Sequence, residues 1–225
     1  MLNMIKSHLP EGFTLIRQHA PEILIDLKYT GNDNLVGRPL IGYSPSGSAL
    51  LTEDAAKTLP KMISMLQTTA LRRELNMHEP TLLLFDAYRP QMASDDFWEW
   101  SQTECVKNKQ QYYPNIDKKD FFSLGYVAKQ SSHSRGSTLD LTIVDTANGK
   151  MIPLDMGTAF DFMDELSHPD NANVSPQAFK HKQFLKKFMA EFGWIGISSE
   201  WWHFTFSNEP FPETYFNFPV VKYEQ

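Results

Sequence analysis

Residues 22–28 (EILIDLK) alternate apolar and polar side chains, the two-residue period of a strand with one face buried. Residues 31–47 break that pattern with Gly, Asn, Pro and Ser and read as a long loop. A helical period follows. Leu59, Met62, Ile63 and Leu66 recur at that spacing, behind Thr52 as a candidate cap with Glu53 and Asp54 in a first turn. Pro60 lies inside this pattern and predicts a kink or a division there. Residues 81–85 (TLLLF) are almost wholly apolar, as in a strand covered on both faces. Residues 93–111 read as a helix, residues 139–144 as a strand, and residues 176–192 as a helix stopped by Gly193. The aromatic run at 200–206 (EWWHFTF) predicts the last core strand. Strands mixed with long helices predict an α+β fold. The expectation is a single domain over residues 1–225, with helices packed on a mostly antiparallel central sheet.

Composition narrows the classes. In 225 residues, 41% are apolar, with 16 Phe, 8 Tyr and 5 Trp, which is enough to build a core and argues against intrinsic disorder. The formal charge of -6 gives no net pull toward phosphate backbones or anionic lipid, so no nucleic-acid or membrane partner is expected. One cysteine, Cys105, excludes an internal disulfide framework and any zinc ribbon. No apolar stretch approaches the roughly 20 residues of a membrane-spanning helix. Residues 1–13 lack the apolar run and small-residue cleavage site of a secretory signal. The cytoplasm is therefore the expected location, with the periplasm left open, and the oligomeric state is also open.

Among seven histidines, His8, His19, His78 and His181 lack paired acids at ligand spacing and read as solvated or structural. His133 differs. It precedes a small polar turn with Gly136 free to take positive φ, after which the chain enters the 139–144 strand with Asp140 at its second position. Such a His and Asp can converge on one cation, although a turn-capping Asp beside a surface His stays open on this segment alone. In Glu200-Trp201-Trp202-His203, a continuous strand would point Glu200 and His203 to opposite faces. The two share a site only if Glu200 sits in a bulge or in the loop before the strand; a core strand with one buried His is the competing reading. Together, His133, Asp140 and His203 propose three protein ligands, the number a catalytic zinc uses when one position is left for water. Glu200 would then serve as a nearby base. Arg89 follows the buried strand and precedes Pro90, where it could stabilise an oxyanion or simply pair with Asp86.

Four ordered blocks carry a wider resemblance: Asp86-Ala-Tyr-Arg-Pro90, Ser131-Ser-His-Ser-Arg-Gly-Ser-Thr-Leu-Asp-Leu-Thr142, Asp155-Met-Gly-Thr-Ala-Phe-Asp161, and Glu200-Trp-Trp-His203. With Asp26-Leu-Lys-Tyr29 and the 34–43 loop, the chain resembles the zinc D-alanyl-D-alanine dipeptidases best known from vancomycin resistance. The resemblance implies one catalytic Zn²⁺ per chain, in a cleft, held by His133, Asp140 and His203. It implies Glu200 as general base and Arg89 on the oxyanion. It implies that the 155–161 block lines the cleft, with Asp161 for the substrate ammonium and Ser132 as a further substrate contact. Thr138 departs from the small apolar residue usual in the family, which is expected to alter packing without removing the metal. The implied substrate is a small D,D-dipeptide. Two other readings stay open. One is a D,D-carboxypeptidase acting on peptidoglycan stems; the other is an inactive zinc- or wall-binding module. Against the module, a structural zinc is usually closed by a fourth protein ligand, and none is evident. A Cys105–His thiol hydrolase is a remote option.

Overall fold

The computed structural model describes residues 8–223. The stretch read for a secretory signal lies largely outside these residues. The strands are β1 (Phe13–Leu15), β2 (Leu24–Ile25), β3 (Leu50–Thr52), β4 (Pro80–Asp86), β5 (Thr138–Asp145), β6 (Ile152–Pro153), β7 (Trp194–Gly196) and β8 (His203–Phe206). The helices are α1 (Ile16–His19), α2 (Glu53–Ala56), α3 (Leu59–Leu66), α4 (Thr69–Leu75), α5 (Gln91–Ser101), α6 (Lys109–Tyr112) and α7 (Pro176–Glu191). This is the expected α+β architecture.

The main sheet runs β2-β4-β5-β8-β7, with β6 paired to the outer part of β5. Every pairing in it is antiparallel except β2 with β4. β4 and β5 form its centre. Residues on both of their faces are buried, which explains the unbroken apolar run at 81–85. α3 packs on β4 through Leu59, Met62, Ile63 and Leu66, and α7 lies against β7. β1 and β3 form a separate two-stranded ribbon.

Several local expectations are corrected. Only Leu24 and Ile25 of the 22–28 segment pair as a strand. Of the two outcomes expected at Pro60, the division is the one seen: α2 ends at Ala56, and Pro60 sits in the first turn of α3, where its missing N–H costs nothing. Thr52 makes no capping hydrogen bond because its hydroxyl meets Ser137 Oγ at 2.6 Å. The 93–111 helix divides at Ser101, and Cys105 is exposed in the connection to α6. The Trp100 carbonyl accepts from the Thr103 hydroxyl and from the Lys118 ammonium, and these partners end the helix. Gly193 follows α7 with φ 82°, as expected of a helix stop. Among the described residues, no helix is long and apolar enough to cross a membrane.

Candidate active site

The sheet register builds the site. Asp140 on β5 lies opposite Asp86 on β4 and opposite His203, the first residue of β8. His133 comes from the short 3₁₀ turn Ser132–Arg135, which leads into β5. That turn closes on Gly136 with φ 83°, and a Cβ there would collide with the Phe13 ring. Only glycine satisfies both demands. Thr138 is absorbed by a pair across the sheet, its hydroxyl 2.9 Å from that of Thr205.

His133 Nε2, His203 Nδ1 and Asp140 Oδ1 form a triangle with all three sides 3.2 Å. Donors held about 2.0–2.1 Å from a tetrahedral cation stand about 3.3–3.4 Å apart, so this triangle matches one face of such a site. A backbone hydrogen bond sets the tautomer of His133. His133 Nδ1 lies 2.6 Å from the Ala87 carbonyl, which can only accept, so Nδ1 carries the proton and Nε2 a lone pair. His203 Nε2 lies 3.1 Å from Ser132 Oγ, a hydroxyl that can donate or accept; with Nε2 as the donor, Nδ1 keeps the lone pair. Asp140 Oδ1 is buried and takes no hydrogen bond. With that tautomer, three unshared donors face one point, an arrangement that a cation satisfies and that bare side chains do not.

The surrounding charge agrees. Asp86, Asp140, Asp161 and Glu200 are all buried, against one guanidinium, that of Arg89. Burial would raise Asp140, but positive charge shared with His133 and His203 outweighs it and holds this carboxyl below its usual range. Burial, reinforced by the charges of Asp140 and Asp161, raises Glu200 well above the ordinary carboxylate range. Burial and the Asp140 charge push Asp161 up to about 8. Burial lowers His203 despite its carboxylate neighbour.

Glu200 lies in the loop before β8, with Oε2 3.7 Å from His203 Nδ1. The loop resolves the parity problem of a Glu and a His three residues apart. Arg89 donates from Nε to Asp86 Oδ2 at 2.9 Å, with Nη2 3.5 Å from Asp140 Oδ2. Its guanidinium also stacks over the Tyr29 ring at 4.9 Å. The anticipated Asp86 pair thus exists, and it carries Arg89 to the cleft wall.

His133, Asp140, His203, Glu200, Arg89, Ser132 and Asp161 all line one cleft of about 180 Å³. Ser132 has a second role as hydrogen-bond partner of His203. The 155–161 block contributes its last residue only, for Asp155 is exposed and caps the Gly157 N–H. Asp161 has φ 60°, and both its oxygens accept from the Tyr29 hydroxyl, at 3.0 and 2.9 Å. Tyr29 carries no local signal that would mark a contact across 132 positions. Tyr126, bonded to His168 at 3.1 Å, forms another wall that sequence reasoning missed. His181, read as solvated, is buried and bonds the Asp155 carbonyl at 2.8 Å.

A family model described as D-ala-D-ala dipeptidase matches residues 10–221. The chain is 38% identical over 210 residues to a D-alanyl-D-alanine dipeptidase of Enterococcus faecium, which covers 93% of this chain and 98% of that one. It is 36% identical to the enzyme of that name from Enterococcus faecalis, covering 94% and 100%. To the Escherichia coli enzyme it is 36% identical, covering 82% and 79%. A crystal structure of a vancomycin-resistance D,D-pentapeptidase with Zn(II) overlays at TM-score 0.38 and 12% identity, covering 71% of this chain and 74% of that one. That last likeness is too slight to bear on the chemistry.

Proposed function

The chain belongs to the D-Ala-D-Ala dipeptidase family, and on that premise we propose that residues 1–225 form one zinc peptidase domain hydrolysing D-alanyl-D-alanine to free D-alanine. The observation that carries this reading is the equilateral donor triangle facing Glu200, Arg89 and Asp161 in one small cleft.

His133, Asp140 and His203 would hold a single Zn²⁺ per chain. When bound there, zinc supplies Lewis acidity, polarising a carbonyl and acidifying water. The side chains do the rest. Glu200 takes a proton from the attacking water and delivers it to the departing amine. Its buried position favours proton uptake, which suits that shuttle. Arg89 supplies fixed N–H donors for the oxyanion. The Asp86 carboxylate and the Tyr29 ring hold its guanidinium in place, so little reorganisation accompanies charge development. Asp161 binds the substrate ammonium; a cation beside it stabilises its charged form against burial.

The cleft favours a dipeptidase over a carboxypeptidase. It is small against the roughly 300–1,000 Å³ of drug-sized ligand pockets. A buried carboxylate also suits a free ammonium better than an acylated nitrogen. Purified protein should therefore cleave D-Ala-D-Ala at a kcat/KM roughly 10²-fold or more above that for acetyl-D-Ala-D-Ala. Asp161→Asn should narrow the gap. Equal values for the two substrates would remove the dipeptidase reading and leave the metal chemistry standing.

Arg89→Ala should lower kcat by roughly 10²–10³, with KM changed much less. Steady-state kinetics on folded, zinc-replete protein checks this. A change confined to KM would assign Arg89 to ground-state binding.

A further inference from the structure

Asp161 takes left-handed backbone angles that favour glycine, so something must hold this turn. Trp201 Nε1 lies 2.9 Å from Thr158 Oγ1, Thr158 Oγ1 lies 2.8 Å from Ser167 Oγ, and Ser167 Oγ lies 2.5 Å from the Phe162 carbonyl. Chemistry fixes the direction of every bond. An indole N–H only donates, and a carbonyl only accepts. Ser167 must spend its one hydrogen on Phe162, so it accepts from Thr158, whose oxygen accepts from Trp201.

We infer that Thr158 and Ser167 are positioning residues for Asp161, acting through this one-way relay from the indole of Trp201. The relay reaches the chain on both sides of Asp161, at Thr158 and at Phe162. Its first donor adjoins Glu200, so it ties the ammonium-binding arm to the segment carrying the base. Its middle is anchored from behind. Ser167 is fully buried in the 3₁₀ turn Glu165–Ser167. The Lys182 ammonium on α7 donates to the carbonyls of Leu166, His168 and Asn171 at 3.0, 2.9 and 3.1 Å. Tyr29 holds the carboxylate end and the relay holds the backbone end.

This inference rests on the reading of Asp161 as the ammonium site, and the test separates the two. The variants are Thr158→Val, Thr158→Ser, Asp161→Asn and the double Thr158→Val/Asp161→Asn. Each is assayed with D-Ala-D-Ala, with zinc content and melting temperature measured alongside. Thr158→Val should raise KM about tenfold with kcat and zinc content nearly unchanged. Thr158→Ser, which keeps the hydroxyl, should restore the native KM. The double variant should be no worse than Asp161→Asn alone, because both changes disable one arm. If Thr158→Val folds poorly, Trp201→Phe removes only the first donor and should move KM in the same direction. Losses that multiply in the double variant, or a Thr158→Val loss confined to kcat, would overturn the inference alone. An Asp161→Asn enzyme with native KM would overturn the ammonium reading and this inference with it.

Discussion

Replacing His203 by alanine is expected to remove zinc and activity together. The argument is geometric. Its Nδ1 is one corner of a 3.2 Å triangle whose other corners are fixed by the His133 turn and by β5. Two donors do not define a tetrahedral face, and Asp140 Oδ1 has no other partner to fall back on. The affinity loss should exceed the roughly 10–100-fold that follows loss of a mere outer partner of a ligand. Ser132→Ala supplies that milder comparison, since Ser132 meets only the far nitrogen of His203. Zinc content after dialysis gives the readout, with the native protein as reference. An alanine variant that kept full zinc would show the triangle to be misassigned.

Glu200→Gln is expected to do the opposite on the metal side. Zinc should remain stoichiometric while kcat falls roughly 10²–10⁴-fold, the usual worth of a positioned general base. The substitution keeps the shape of a buried side chain and removes a charge that its environment already opposes, so folding should survive. Glu200 stands outside the donor triangle, 3.7 Å from His203 Nδ1. Zinc lost from this variant would move Glu200 into the metal's own ligand set, and the base would have to be sought elsewhere.

The proposed ligand set is legible because its residues belong to short segments whose local chemistry is self-contained. Gly136 announces a tight turn, Asp140 interrupts an apolar strand, and Glu200 precedes one. The sheet then completed what periodicity cannot express, the pairing of Asp140 with His203 across neighbouring strands. Features set by distant partners escaped. Thr52 looks like a helix cap until Ser137 claims its hydroxyl. Residues 93–111 look like one helix until Lys118 reaches the Trp100 carbonyl. His181 looks solvated on a lysine-rich face, yet the Asp155 carbonyl draws it inward. Tyr29 offers only an aromatic residue in an irregular stretch, and its hydroxyl matters because the fold brings Asp161 to it.

The register that seats Asp140 opposite both Asp86 and His203 also divides the chain into rigid and editable text. Side chains alternate along a strand, so one residue gained or lost within β5 ahead of Asp140 would turn that carboxylate to the far face and dissolve the donor triangle. Evolution can replace letters there but cannot change the count. The connections after β5 carry no such arithmetic. Insertions between residues 148 and 151, an exposed turn on the rim of the sheet, would lengthen the molecule without touching a donor. Variation in length among related chains should therefore gather in such connections, while the spacing from His133 to Asp140 stays fixed.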